Sequence, residues 1–203
     1  MGALPGERAD VMTRLILGIV LFFGTHLISV VALGWRDRTA ERLGARTWKA
    51  AYAVAALIGF YLIVTGFGEA RQADGVLFVP PRWLKDLAAI LMLPAFTLAL
   101  AAYLPGRIQE LAKHPLLLAT KLWALAHLLA NGGVADVLLF GSFLLWAGAV
   151  RVSLKYRPPR PIRMRSPSKA NDIIAIVGGL ALYAVFILWL HAKWFGVAPI
   201  ALG

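Results

Sequence analysis

The chain contains no cysteine. Disulfides, thiolate nucleophiles, iron–sulfur clusters and cysteine-held zinc therefore lie outside its chemistry. Any side-chain metal ligand must be His, carboxylate, Met or Tyr. Acid is scarce as well, with ten Asp and Glu in 203 residues, and there are four His. Charged residues make up 15%, against about 25% in a soluble domain, while 60% come from the apolar set AVILMFWYC. A water-soluble fold of this size could not cover so much apolar surface. That excludes an ordinary cytosolic enzyme, a disordered tail and a nucleic-acid-binding domain. The net charge of +11 resembles a nucleic-acid signal, but the basic residues sit around apolar runs, where membrane topology accounts for them. The expected partner is a lipid bilayer, with no nucleic acid.

A spanning helix needs ~20 mainly apolar residues. Runs of that kind lie near residues 12–33, 50–67, 84–104, 116–130, 134–150 and 173–195, punctuated by Gly34, Gly66, Gly68, Pro80-Pro81, Pro105-Gly106 and Asn131-Gly132-Gly133. The expectation is an all-α, polytopic helical membrane bundle of about six transmembrane helices. The fourth is short, ~15 residues, and carries Lys121. The first run is too long for a signal-peptide core, lacks an A-x-A site and contains His26. No repeat points to the inverted halves of a transporter. Most Lys and Arg fall in three segments on one side: 36–49, 107–113 and 151–169. The positive-inside rule makes that side cytoplasmic and both termini periplasmic. Segment 151–169 holds seven basic residues, four prolines and no acid, which reads as a positive-inside cytoplasmic loop in preference to a docking site for anionic lipid or an acidic partner. Trp35, Trp48, Trp83, Trp189 and Trp194 stand near run ends, as interfacial anchors do.

Ionisable groups at membrane depth are costly and so become functional candidates. His26 lies inside the first run and His127 inside the fourth. At helical spacing His26 shares its face with Phe22, Phe23, Ser29 and Val30, and His127 with Trp123, Ala124, Ala130 and Asn131. Small residues leave room for a flat macrocycle and aromatics would line it, so haem b held by two His on facing helices fits. Imidazoles bonding across a helix interface fit the same pattern. At 1.5 Å per residue His26 lies ~10 Å inside the cytoplasmic end of its run, and His127 ~9 Å inside that face when Lys121 snorkels to it. The two depths then match. Lys121 is a candidate partner for a haem propionate and also an ordinary snorkelling residue. His114, before Pro115, reads as the entry to the fourth helix, with a propionate or proton-donor role beside that. His191 reads as an interfacial residue. Asp136 reads as an N-terminal charge favoured by the dipole of the fifth helix. Glu69 and Arg71 are expected at the outer end of the bundle, and Gly66-Phe67-Gly68 follows a membrane helix, which rules out a dinucleotide loop.

The run Trp123-Ala124-Leu125-Ala126-His127-Leu128-Leu129-Ala130-Asn131-Gly132 resembles the signature of the NnrU family. His114-Pro115, Phe140-Gly141-Ser142-Phe143 and Phe23-Gly24-Thr25-His26 belong to the same pattern. So do Gly66-Phe67-Gly68-Glu69-Ala70-Arg71, Pro80-Pro81-Arg82-Trp83 and Pro105-Gly106-Arg107. The likeness covers residues 15–155. It divides the chain into a five-helix membrane domain at 1–155, a basic Pro-rich cytoplasmic loop at 156–171 and an additional transmembrane helix at 172–203. The resemblance implies a bacterial inner-membrane protein linked to denitrification and nitric oxide metabolism, with haem b as cofactor and His26 and His127 as its axial ligands. Relatives that isomerise 15-cis-ζ-carotene make a haem-dependent cis-trans isomerase of an apolar polyene the alternative, should the protein be an enzyme. A cofactor-free membrane scaffold is the third reading. With no thiolate in the chain, any exchange of an iron ligand would have to use another His or leave the site open.

Overall fold

A computed structural model describes residues 5–73, 75–157 and 166–200. Residues 158–165, half of the proline-rich basic loop expected at 156–171, lie outside them. The described residues form α1 (Pro5–Val31), α2 (Leu33–Leu43), α3 (Ala45–Ala73), α4 (Arg82–Ala101), α5 (Arg107–Ala112), α6 (Pro115–Ala130), α7 (Val134–Ser153) and α8 (Lys169–Val185). A π-helical turn (Phe186–Leu190) then leads into α9 (His191–Phe195). Backbone groups in hydrocarbon must be satisfied within the segment, which is why apolar runs of this length become helices.

Among the described residues, five helices are long and apolar enough to cross a membrane: Met12–Val31, Ala45–Gln72, Arg82–Ala101, Val134–Ser153 and Lys169–Phe195. Pro115–Ala130 is a shorter apolar helix. The expected all-α, multi-pass architecture is therefore present. Two short helices were not expected. The polar sequence of α2 contains Trp35, Arg36, Arg38 and Arg42, and Trp35 packs edge-on to Trp48 of α3 with ring centres 5.9 Å apart. The six-residue α5 follows Pro105-Gly106. Helix α3 outruns its apolar core, because Arg46, Lys49, Glu69, Arg71 and Gln72 continue the helix past both ends.

The chain forms two compact units. The first comprises the residues up to Phe78 and Gly132–Tyr156; the second comprises Val79–Asn131 and the residues from Arg157 onward.

In the first unit, α1, α3 and α7 pack together. Contact between α1 and α3 is made at glycine. A Cβ on Gly66 would stand 2.6 Å from the Leu15 backbone nitrogen, and one on Gly59 would stand 2.7 Å from that of Phe22. Helices associate in lipid by van der Waals contact at small residues rather than by a hydrophobic force. A short pairing closes the unit: Leu77 N–H donates to the Gly132 carbonyl at 2.7 Å, beside an isolated antiparallel bridge between Val76 and Gly133.

In the second unit, α4 packs on α6 and α8. Gly179 of α8 meets Thr97 of α4, where a Cβ would stand 2.7 Å from the Thr97 Cα. Pro94 sits inside α4. The head of α8 grips the turn before α5. The two Asp172 carboxylate oxygens each accept a backbone N–H, from Arg107 and Ile108, at 3.0 Å. The Asn171 amide donates to the Pro105 carbonyl at 2.7 Å, and the Ser168 N–H donates to it at 3.1 Å.

Candidate functional site

His26 belongs to the first unit and is built into α1. Its Nδ1 lies 2.7 Å from the Phe22 carbonyl oxygen. A carbonyl only accepts, so in the neutral ring Nδ1 carries the proton and Nε2 the lone pair. Three aromatic rings stand against it. Phe22 is 4.2 Å away centre to centre, Tyr52 of α3 is 5.4 Å and Trp146 of α7 is 5.8 Å. Phe143 joins the group through Phe22 at 6.0 Å and Phe23 at 4.8 Å. The indole Nε1 of Trp146 is buried and has no hydrogen-bond partner. A buried donor left unmade costs about 1–3 kcal/mol.

Phe22 and Phe23 are legible in the sequence because they lie close to His26 along one helix. Tyr52 and Trp146 come from other helices, and nothing at local spacing marks them. The phase of Trp146 on α7 was the one available signal: it is one turn from Phe143.

His127 belongs to the second unit and stands in the last turn of α6. It repeats the arrangement of His26. Its Nδ1 is 2.9 Å from the Trp123 carbonyl oxygen, which again assigns the lone pair to Nε2 in the neutral ring. The Trp123 ring centre is 5.1 Å away, and the Asn131 amide donates to the His127 carbonyl at 2.9 Å. His114 is the N-cap residue of α6, directly before Pro115, and its carbonyl accepts from Leu118 N–H at 3.1 Å. Lys121 lies on the same helix, but at ~100° per residue it is turned ~120° about the axis from His127. Its reach toward any group at His127 depends on its four-carbon stem.

His191 was read as an interfacial residue. Its ring is 6.4 Å from that of His127, with the two planes 29° apart. The chain separation of these two residues left no local pattern to read.

A polar cluster occupies the loop end of the first unit. Asp136, buried in the first turn of α7, accepts from the Gly133 N–H at 3.1 Å and lies 3.9 Å from Arg71 Nε. Arg71 in turn stacks over Phe67, 5.5 Å from the ring centre. Arg14 pairs with Glu69. The expected helix-dipole role of Asp136 thus comes with an N-terminal cap and a cationic neighbour. Asp136→Ala removes the cap and leaves Arg71 without its carboxylate, at a cost of about 1–2 kcal/mol. Thermal unfolding in detergent should show a lower midpoint for Asp136→Ala than for Asp136→Asn, which retains an acceptor oxygen.

Among the described residues no group of three or more His, Asp or Glu stands together as a metal shell. Each imidazole, with its Nδ1 tied to a carbonyl, offers one nitrogen donor, the kind of donor that haem iron takes from a protein.

The family described as NnrU protein matches residues 14–199. That match runs through α8 and into the residues after α9, beyond the 15–155 stretch of the sequence resemblance. No curated protein and no solved structure shows a match to the chain.

Proposed function

The chain belongs to the NnrU family, and on that membership we propose that it is a haem b protein of the bacterial inner membrane, acting in denitrification and nitric oxide metabolism. His26 and His127 are its imidazole ligands in this proposal. The carrying observation is the shared local geometry of those two residues. Each gives its Nδ1 proton to the carbonyl four residues earlier, at 2.7 and 2.9 Å. Haem-ligating and zinc-ligating His are held in the same way, with the second ring nitrogen tied to a carbonyl or carboxylate. The backbone bond orients the ring, and the lone pair of Nε2 faces away from its own helix turn.

The surroundings fit the same group. Phe22, Tyr52 and Trp146 pack against the His26 ring, with Phe23 and Phe143 next to them, and the unpartnered Trp146 Nε1 offers a donor to an acceptor held there. Lys121 is the propionate partner in this reading, and His114 the donor beside it. When bound, haem iron supplies one-electron exchange and an affinity for nitric oxide. Both termini are periplasmic and the basic loops cytoplasmic, following the distribution of Lys and Arg.

The test is the oxidised-minus-reduced spectrum of the full chain, purified in detergent after haem-supplemented expression. The expected result is a low-spin b-type spectrum that becomes high-spin or disappears in both His26→Ala and His127→Ala, and that shifts on adding nitric oxide. A wild-type protein without a haem band overturns the reading.

A further inference from the structure

We propose that His127 and His191 form a two-imidazole site for a transition-metal centre, complete within the second unit. This goes beyond the haem reading: it shares His127 with it and makes no use of His26.

The spacing of the rings is the first support. An imidazole nitrogen binds a transition metal at about 2.0–2.1 Å, so ring centres on opposite sides of one ion stand ~6 Å apart, and rings at a tetrahedral angle stand closer, ~5 Å. The observed separation is 6.4 Å, with planes 29° apart. That is the separation of a trans pair, the arrangement found in tetragonal Cu(II) and Ni(II) sites and at haem iron.

The second support is independent of that distance. His191 Nδ1 lies 2.7 Å from the Val197 carbonyl oxygen, as His127 Nδ1 lies 2.9 Å from that of Trp123. Both rings are therefore locked, and both have Nε2 as the lone-pair nitrogen. Trp123 flanks one ring at 5.1 Å, and Phe186 and Phe195 flank the other at 6.2 and 5.1 Å.

The backbone supplies the third. His191 follows the π-helical turn at Phe186–Leu190. Such turns are rare, appear often at functional sites and change the phase of every residue after them. The phase of His191 on this helix is thus set by an irregularity rather than by continuous α-helix.

The shared chemistry is a metal centre that accepts imidazole nitrogen, and either a bare divalent ion or haem iron can be its source. Cu2+ is the probe for the first, added below one equivalent to the full chain in detergent. Pulsed electron paramagnetic resonance then counts coupled imidazoles. His191→Asn is the chosen variant because its amide N–H can still donate to the Val197 carbonyl while Nε2 is lost. Two coupled imidazoles are expected in wild type and in His26→Ala, and one in His191→Asn and in His127→Asn. A His191→Asn spectrum identical to wild type overturns the pair, as does loss of a coupled imidazole in His26→Ala. Circular dichroism matched to wild type confirms that a variant spectrum comes from folded protein, and His191→Ala provides a second deletion of the same ligand.

Haemin is the probe for the other source. A low-spin spectrum retained by His26→Ala and lost by His191→Asn assigns the pair to haem iron. If His26→Ala turns high-spin while the Cu2+ coupling persists, the pair serves a bare ion and the haem reading stands. If haemin binds nowhere while the coupling persists, the haem reading fails and the pair stands.

Discussion

Gly66→Leu should unfold the first unit or leave it in a loosely packed form, with a loss of several kcal/mol. The position admits no side chain because the space a Cβ would need is occupied by main chain: 2.6 Å to the Leu15 nitrogen and 2.9 Å to its Cα. A side chain can rotate away from an intruding atom, whereas a helix backbone can only be pushed aside. Overpacking costs about 1–3 kcal/mol even where side chains can adjust. Here the whole of α1 must move off α3, and Leu15, fully buried at that crossing, loses its contacts. Gly59 makes the matching approach to Phe22 one heptad earlier, on the residue whose carbonyl holds His26. Gly59→Leu should therefore disturb the His26 ring as well as stability. The check is the denaturation midpoint in mild detergent alongside the tryptophan fluorescence of Trp146. A Gly66→Leu protein as stable as wild type would show that the two helices do not pack at this point.

The second large effect is expected at Asp172. Its carboxylate accepts two backbone N–H groups at the start of α5, both at 3.0 Å. Hydrogen bonds to a charged group contribute about 1.5–3 kcal/mol each, less where water reaches them, and this site is partly exposed. Asp172→Ala should cost about 2–3 kcal/mol in total, and Asp172→Asn about half of that, since one acceptor oxygen remains. The lost contact also fixes the head of α8 to the Pro105-Gly106-Arg107 turn. Hydrogen exchange at Arg107 and Ile108 is the sharper readout: both amides should exchange faster in Asp172→Ala, with amides in α3 unchanged. Equal exchange in the two proteins would remove the clamp from the account of the fold.

The helices were readable because a bilayer sets their length: a run of about twenty apolar residues has few other fates. Hydrophobicity says nothing about where a helix stops once its ends are polar, so α3 extends to Ala73 past the expected limit at 67. Nor does it show helices outside the apolar runs, which is how α2 and α5 escaped notice. His26 and His127 stood out as ionisable groups inside apolar segments. Trp146, Tyr52 and His191 did not, because their significance comes from contacts between helices far apart in the chain. The turn at Pro105-Gly106-Arg107 was visible as a motif, while its partner Asp172 lies 65 residues further on. The π-helical turn has no signature in Phe186-Ile187-Leu188-Trp189-Leu190, an apolar stretch that would serve equally well in an α-helix.

The division of the chain into interleaved units has a consequence for biogenesis. Each unit is assembled from separated stretches, the first from residues up to Phe78 and from Gly132–Tyr156, the second from Val79–Asn131 and from Arg157 onward. During synthesis α1 and α3 can associate as soon as both have left the ribosome, because they are neighbours in sequence and need only each other's glycines. Helix α7 completes that unit only after α4 and α6 have been made, and those two then wait for α8. A chain arrested once α6 has left the ribosome would therefore hold both bodies unfinished, the first without α7 and the second without α8. No single cut in the chain would release either body whole.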